Sequence, residues 1–296
     1  AERNGARLFM VKWNLEQIPK IVHFYWGRTP LNFMRYLSVK SFAAHNPDWQ
    51  ILVHVPVESQ IINIWPWASL EHTTRAVPDI DYFEQLWSIP GVQKIEHELS
   101  REISRWSDVH RSDYLRLTVV LEHGGFWSDF DVLYAKPMTN LLVNHTPSME
   151  AIFCPCHSHA AGFSGYVIGL WGAAEQCGFV TQILNEVSRA EKRDEYQSIG
   201  SDLWNKCLPW SQLLGRGASV ANLGTASVYH FNYLDIHDSL RARSGVPYGA
   251  DVLDFHEIGI HWYGGDPVMC RLASVIDAVS YTHLRAHETK ANLVCR

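Results

Sequence analysis

Two short apolar runs, IVHFYWG (residues 21–27) and WQILVHV (49–55), flank a helical stretch, and that order constrains the chain more than any other feature. The first run is β-branched and aromatic, follows Ile18-Pro19-Lys20 and stops at Gly27, as a buried strand does. Between the runs, LNFMRYLSVKSFAAHN (31–46) places Leu31, Met34, Leu37, Val39 and Phe42 near helical spacing, and Asn46-Pro47 ends it. Strand, helix and strand in this order are the unit of a parallel α/β sheet.

Further along, Ser107 or Asp108 is placed to cap a helix through HRSDYLRLTVVLEHG (110–124). Gly124 sits where a left-handed C-cap is wanted, and Gly125 opens a strand over FWSDFDVLY (126–134). Residues 56–100 read as helical pieces broken at Pro66, Pro78 and Pro90. Ala151-Ile152-Phe153 and residues 165–170 are strand candidates, and Phe179–Arg193 is an amphipathic helix. No internal repeat or flexible linker interrupts the chain, so one domain is expected, over residues 10–278. Ala1–Phe9 precede Met10 and read as a leader foreign to the fold; residues 279–296 change character, and SYTHLRAHETKANLVCR resembles translated sequencing-adaptor read-through.

With 296 residues, 47% hydrophobic, the chain can bury one large core or two small ones. A net charge of −6 provides no broad basic surface, which argues against nucleic acid or an anionic membrane as the main partner. No apolar run approaches the ~20 residues of a membrane-spanning helix, so no transmembrane segment is expected. The six cysteines follow no regular framework, and reduced thiols in a cytoplasmic setting, at most peripheral to the inner membrane face, are expected. Cys154-Pro155-Cys156-His157-Ser158-His159 has only part of a structural zinc pattern and reads as a polar loop.

The chemistry-bearing stretch is GGFWSDFDVL (124–133), with Asp129 and Asp131 two positions apart. Asp79-Ile80-Asp81 has the same spacing without the glycines, so the pair alone is a weak signal. On a continuous strand Trp127, Asp129 and Asp131 would share one side, with Phe126, Ser128, Phe130 and Val132 on the other. The two carboxylates would then be roughly 6.6 Å apart, suiting one direct metal ligand and one acting through water. Hard oxygen ligands favour Mg²⁺ or Mn²⁺. On the helix before them, Asp113 and Arg116 fall on one face with Ser112 adjacent. An arginine there could grip sugar or diphosphate oxygens in fork geometry; equally, the pair could be a surface ion pair worth at most ~1 kcal/mol.

SDYLR (112–116), the double glycine and D-F-D together resemble the sugar-binding region of glycosyltransferases carrying the DXD motif. Similar enzymes include yeast-type initiating α-1,6-mannosyltransferases, capsular-polysaccharide transferases and the glucosylating domain of large clostridial toxins. The likeness extends to IPKIVHFYWG (18–27) and, more loosely, to GIHWYGG (259–265). It implies a GT-A fold, a Rossmann-like α/β/α sandwich with a mostly parallel mixed sheet. It also implies a nucleotide-sugar donor (UDP- or GDP-hexose), a glycan, lipid or protein acceptor, Mn²⁺ or Mg²⁺, and retention at the anomeric carbon. By the same resemblance Trp26 would stack on the base, while Asp113 and Arg116 would hold the donor sugar and phosphates. Trp127 stands where such enzymes often have tyrosine. Asp129 would reach ribose, or the metal through water, and Asp131 would bind the metal directly. His261 and Trp262 would close over the diphosphate, with His261 a further candidate ligand.

Asp202, in IGSDLWNKCLP (199–209), is a candidate where donor and acceptor meet, or an ordinary surface aspartate. A phosphatase of the haloacid-dehalogenase type fits poorly, because Trp127-Ser128 precede the first aspartate and Leu133-Tyr134 follow Val132. A catalytically silent carbohydrate- or nucleotide-sugar-binding protein of the same fold is the other alternative, since a fold alone does not set function.

Overall fold

The computed structural model describes residues 18–57, 81–141, 150–158, 163–190, 197–207, 220–222, 227–229, 257–265 and 269. Strand β1 (Ile21–Tyr25), helix α1 (Phe33–His45) and strand β2 (Gln50–Pro56) follow in the expected order, with β1 and β2 parallel. Helix α1 begins where the Asn32 side chain accepts the Arg35 N–H at 2.9 Å. It ends where the Asn46 N–H returns to the Phe42 carbonyl and Pro47 cannot continue the ladder.

The next strand was not legible in the sequence. β3 (Val92–His97) pairs parallel to β2 where helical pieces were expected. Only Val92, Ile95 and His97 are half-buried, and Gln93, Lys94 and Glu96 face solvent. An edge strand carries such polar residues, and they conceal its period. The stretch also holds one 3-10 turn, Glu84–Ser88; Pro66 and Pro78 lie outside the described residues.

Helix α2 (Asp108–His123) is capped by Ser107, whose Oγ accepts the His110 N–H at 3.2 Å. The return into strand β4 (Gly125–Ser128) runs through two glycines at φ +64° and +102°. A Cβ on Gly125 would lie 2.6 Å from the Ile21 carbonyl oxygen, so only glycine lets β4 close against β1 there. The expected nine-residue strand is in fact two, β4 and β5 (Val132–Tyr134), with Asp129-Phe130-Asp131 forming the turn between them.

Strands β6 (Ala151–Ser158) and β7 (Phe163–Ala173), helix α3 (Gly178–Val187), helix α4 (Ser201–Cys207) and strands β8 (Val220–Asn222) and β9 (Gly259–His261) follow. The Cys154–Ser158 stretch is therefore strand, not polar loop, and Cys154 is buried. Helix α3 stops at Val187, short of the expected Arg193.

The main sheet has the order β3-β2-β1-β4-β7-β6-β8, and β5 and β9 form a small second sheet. β3, β2, β1 and β4 are parallel; β7 is antiparallel to both β4 and β6; β8 runs parallel to β6. Alternation sends Phe24, Phe126 and Leu170 into the core shared with Val39 and Phe42 of α1. Their neighbours Tyr25, Trp127 and Trp171 face the opposite core, built with Leu115 and Val119 of α2, Ile183 of α3 and Trp204 of α4. Helices on both faces of a mostly parallel mixed sheet make a Rossmann-like α/β/α sandwich. Among the described residues no helix is long and apolar enough to cross a membrane.

The chain runs outward from β1 through β2 to β3, then returns to place β4 on the other side of β1. Such a reversal leaves a crevice beyond the carboxyl ends of the two central strands, the usual ligand position in open α/β sheets. Trp26 leaves β1 at that end, and Asp129 leaves β4 there.

Candidate active site

The turn between β4 and β5 folds the two aspartates toward each other and toward His261. One ligand atom from each of Asp129, Asp131 and His261 lies within 4.8 Å of the others. The spacing expected on a continuous strand is therefore corrected by the strand break. Three local bonds set the turn. The buried Ser38 hydroxyl of α1 donates to the Phe130 carbonyl at 2.7 Å, the Asp129 N–H donates to the Gly169 carbonyl at 2.8 Å, and the Trp262 N–H donates to the Asp131 carbonyl at 2.8 Å.

His261 arrives through the small sheet, in which β9 lies antiparallel to β5 with Val132 opposite His261. Its Nε2 stands 3.1 Å from Asp131 Oδ1, a buried oxygen that has no other donor among the described residues. Asp131 Oδ2 accepts the Gly264 N–H at 2.9 Å. Burial by itself would raise the Asp131 carboxyl; the charges of His261 and Arg35 and the Gly264 N–H outweigh it and hold it below the usual carboxylate range.

Arg116 ties the second half of the site together. It pairs with Asp113 at 2.9 Å and approaches Asp129 at 3.6 Å. It also donates to the Ile168 carbonyl at 2.7 Å and reaches Ser112 Oγ at 3.4 Å. Arg116 is 5% exposed and Asp113 2%, so this is a buried pair and not a surface one. Burial, reinforced by Asp129 and partly opposed by Arg116, pushes Asp113 up to about 6. Its Oδ2 has no partner among the described residues, and a Cβ on Gly200 would come within 3.1 Å of that oxygen and 2.5 Å of Gln197 Oε1.

The other expected residues take defined places. Trp127 is buried beneath the Arg116 guanidinium, 5.1 Å from its ring centroid, and its Nε1–H donates to Asp129 Oδ1 at 2.7 Å, so it orients that carboxylate. Trp26 is half-buried; it donates to the Thr29 carbonyl, touches Phe130 and carries Arg35 4.9 Å above its ring. Trp262 is buried, and its indole N–H has no acceptor among the described residues. Asp202 is exposed in the first turn of α4. Asp81, from the second D-x-D, accepts the backbone N–H groups of Leu31 and Phe83 and is a loop-forming residue.

Two further residues went unnoticed in the sequence. A Cβ on Gly169 would lie 2.5 Å from the Tyr229 hydroxyl, 3.0 Å from Asp129 Oδ2 and 3.3 Å from His261 Nε2. Any side chain at this position would crowd both ligand atoms and the Tyr229 hydroxyl. Tyr229 stacks on the His261 ring at 4.7 Å, and its hydroxyl accepts the Gly169 N–H at 3.1 Å. Burial, chiefly, pushes that phenol well above its ordinary pKa, so it stays neutral. Only Gly169, as an isolated glycine in a strand, carried a signal of close approach. Two carboxylates, one imidazole, an orphaned carboxylate oxygen and a cradle that a Cβ would fill suit a divalent cation.

Residues 33–149 match the family described as glycosyltransferase sugar-binding region containing DXD motif. No curated protein sequence matches the chain. Among solved structures it is similar to the PaToxG glycosyltransferase, at 14% identity and TM-score 0.45, covering 68% of this chain and 74% of that one. The glycosyltransferase GlyE of Streptococcus pneumoniae TIGR4 is similar at 14% identity and TM-score 0.46, over 82% of this chain; the match spans only 54% of GlyE. A glycosyltransferase involved in glycosylating the major capsid of PBCV-1 is similar at 9% identity and TM-score 0.44, over 88% of this chain and 100% of that one.

Proposed function

We propose that this chain, a sugar-transferring enzyme that carries the DXD sugar-binding region of glycosyltransferases over residues 33–149, moves a hexosyl unit from a UDP- or GDP-sugar to a glycan, lipid or protein acceptor. The transfer depends on a divalent cation, Mn²⁺ or Mg²⁺, and retains the anomeric configuration. The catalytic unit is one domain over residues 10–278, acting on the cytoplasmic side, where Cys154, Cys177 and Cys207 remain free thiols. The observation that carries the reading is the meeting of Asp129, Asp131 and His261 beside the buried Asp113–Arg116 pair.

In this reading Asp131 and His261 hold the cation directly and Asp129 completes the set or reaches ribose. The cation supplies Lewis-acid stabilisation of the departing diphosphate. The chain's own residues do the rest. Asp113 turns its unpartnered Oδ2 to a hydroxyl of the donor sugar. Arg116, anchored by Ile168, Asp113 and Ser112, presents fixed positive charge to the phosphates. Trp127 keeps Asp129 in place from below, Trp26 lies against the base, and the free indole N–H of Trp262 donates to a phosphate oxygen.

The test is nucleotide release from a panel of UDP- and GDP-sugars, with Mn²⁺ and with chelator. Release from one donor, lost on chelation and restored by Mn²⁺, is expected. Donor cleavage that chelation leaves unchanged would sink the metal assignment, and failure to bind either nucleotide by calorimetry would sink the donor assignment.

A further inference from the structure

One positive charge sits close to the proposed cation site with no evident reason to be there. Arg35, in the first turn of α1, lies between two indoles, 4.9 Å from the Trp26 ring centroid and 5.6 Å from that of Trp262. Its Nη2 donates to the Gly264 carbonyl at 3.2 Å. The same Gly264 donates its N–H to Asp131 Oδ2, while the Trp262 N–H holds the Asp131 carbonyl. A guanidinium beside a cation site is repulsive by Coulomb's law, so its presence requires another gain.

The turn it touches supplies one. Tyr263, between Trp262 and Gly264, has φ +52°, a left-handed conformation that a non-glycine residue keeps only when its surroundings hold it. A Cβ on Gly264 would lie 2.8 Å from Trp262 Cη2, 3.0 Å from Arg35 Nη2 and 3.1 Å from Asp131 Cβ. Helix α1, the turn after β9 and the second aspartate of the D-F-D turn therefore meet at one point. We propose that Arg35 is a positioning residue for the cation site: clamped between Trp26 and Trp262, it fixes the Trp262–Gly264 turn and thereby the Asp131 carboxylate. This rests on the metal reading above and extends it to a residue outside the D-x-D motif.

The two roles open to Arg35 predict opposite signs. Were it only a nearby charge, removing it would tighten cation binding; as a positioning residue, removing it weakens binding. The experiment is an electron paramagnetic resonance titration of Mn²⁺ into the full chain without nucleotide. Arg35→Met, which keeps the aliphatic stem, should weaken Mn²⁺ binding about tenfold or more, the usual effect of losing an outer-shell partner. Arg35→Lys keeps the charge without the planar fork and should recover little of the loss.

Gly264→Ala provides an arm that leaves Arg35 in place. Its added Cβ crowds Trp262 Cη2 and Asp131 Cβ as well as Arg35 Nη2, so displacing the turn in this way should also weaken Mn²⁺ binding with Arg35 present. Unchanged Mn²⁺ binding in folded Gly264→Ala, or Mn²⁺ binding in Arg35→Met equal to or tighter than wild type, overturns the proposal. Wild-type protein that takes up no Mn²⁺ overturns the metal reading, and the role of Arg35 with it. A normal wild-type titration beside an unchanged variant removes only the positioning role.

Discussion

Nε2 of His261 and Oδ1 of Asp131 stand 3.1 Å apart, although Asp131 lies near the middle of the described chain and His261 near its end. The antiparallel pairing of β9 with β5 makes the contact, because it sets His261 opposite Val132, the residue after Asp131. A cation placed there takes an imidazole and a carboxylate together, and the first prediction concerns that carboxylate.

Asp131→Asn should lose cation binding while keeping the fold. The amide can still accept the Gly264 N–H, so the turn survives, but the charge that attracts the ion is gone. Since outer-shell changes alone cost about 10–100-fold, loss of a direct ligand should lower Mn²⁺ affinity by more than about 100-fold. Calorimetric titration with Mn²⁺, beside a thermal melt, reads both halves of this expectation.

Gly169→Ala tests the space rather than the ligands. Its Cβ would reach within 3.0 Å of Asp129 Oδ2 and 3.3 Å of His261 Nε2. Cation binding should fall at least about tenfold, with a stability loss of about 1–3 kcal/mol, the usual result of overpacking one methyl group. Unchanged Mn²⁺ affinity in a folded variant would mean the ion does not sit among these three side chains.

Arg116→Met should destabilise the fold itself, in contrast to the two changes above. It strands Asp113, 2% exposed, without its partner and releases the Ile168 carbonyl. Removing one member of a buried pair costs about 3–5 kcal/mol. Urea midpoints at neutral pH measure this, and a wild-type midpoint would show the pair to be dispensable for folding.

A line of histidines across β1, β2 and β3 predicts acid sensitivity. His23 Nε2 lies 2.9 Å from the Gly124 carbonyl, which only accepts, so Nε2 carries the proton and Nδ1 accepts. His54 Nε2 must then donate to His23 Nδ1 at 2.9 Å, and His97 Nε2 to His54 Nδ1 at 2.7 Å. Protonating His54 would turn its Nδ1 into a donor and force His97 to give up its Nε2 proton. Burial lowers His23 to about 4 and lowers His54 and His97 as well, with His123, stacked on His23, adding to the effect and Glu122 opposing it at His97. Unfolding frees these rings to take protons near pH 6.5, so stability is full above that value and falls as pH drops toward 4. His23 alone accounts for about 3 kcal/mol of that fall. Asp113, held up to about 6, works in the opposite sense between its ordinary value and 6, though over a smaller interval. Urea midpoints should decrease from pH 7 to pH 5; a flat profile would exclude a neutral ladder.

Much of the central sheet could be read locally. Strand β1, helix α1 and strand β2 showed in their apolar periods, and Ser107, Gly124 and Gly125 marked the ends of α2 and the start of β4. Such signals are short-range, since capping and alternation depend on a few neighbouring residues. Strand β3 escaped because an edge strand need bury little, and its Gln93, Lys94 and Glu96 look like loop or helix surface.

The sequence by itself determined the sheet order's first unit, the pairing of Asp113 with Arg116 on one helical face and the presence of two aspartates after a double glycine. It could not determine that β4 breaks at Ser128, which brings the two carboxylates within reach of one ion. His261 entered only through the likeness of GIHWYGG, and nothing in the sequence placed Gly169 and Tyr229 beside the aspartates, or Arg35 against Trp26 and Trp262. Those positions depend on which strands pair and in what register, the antiparallel β4–β7 and β5–β9 ladders above all. Ladder bonds join backbone groups that every residue possesses, so their long-range choice is made by packing of the whole core and is not written in any local pattern.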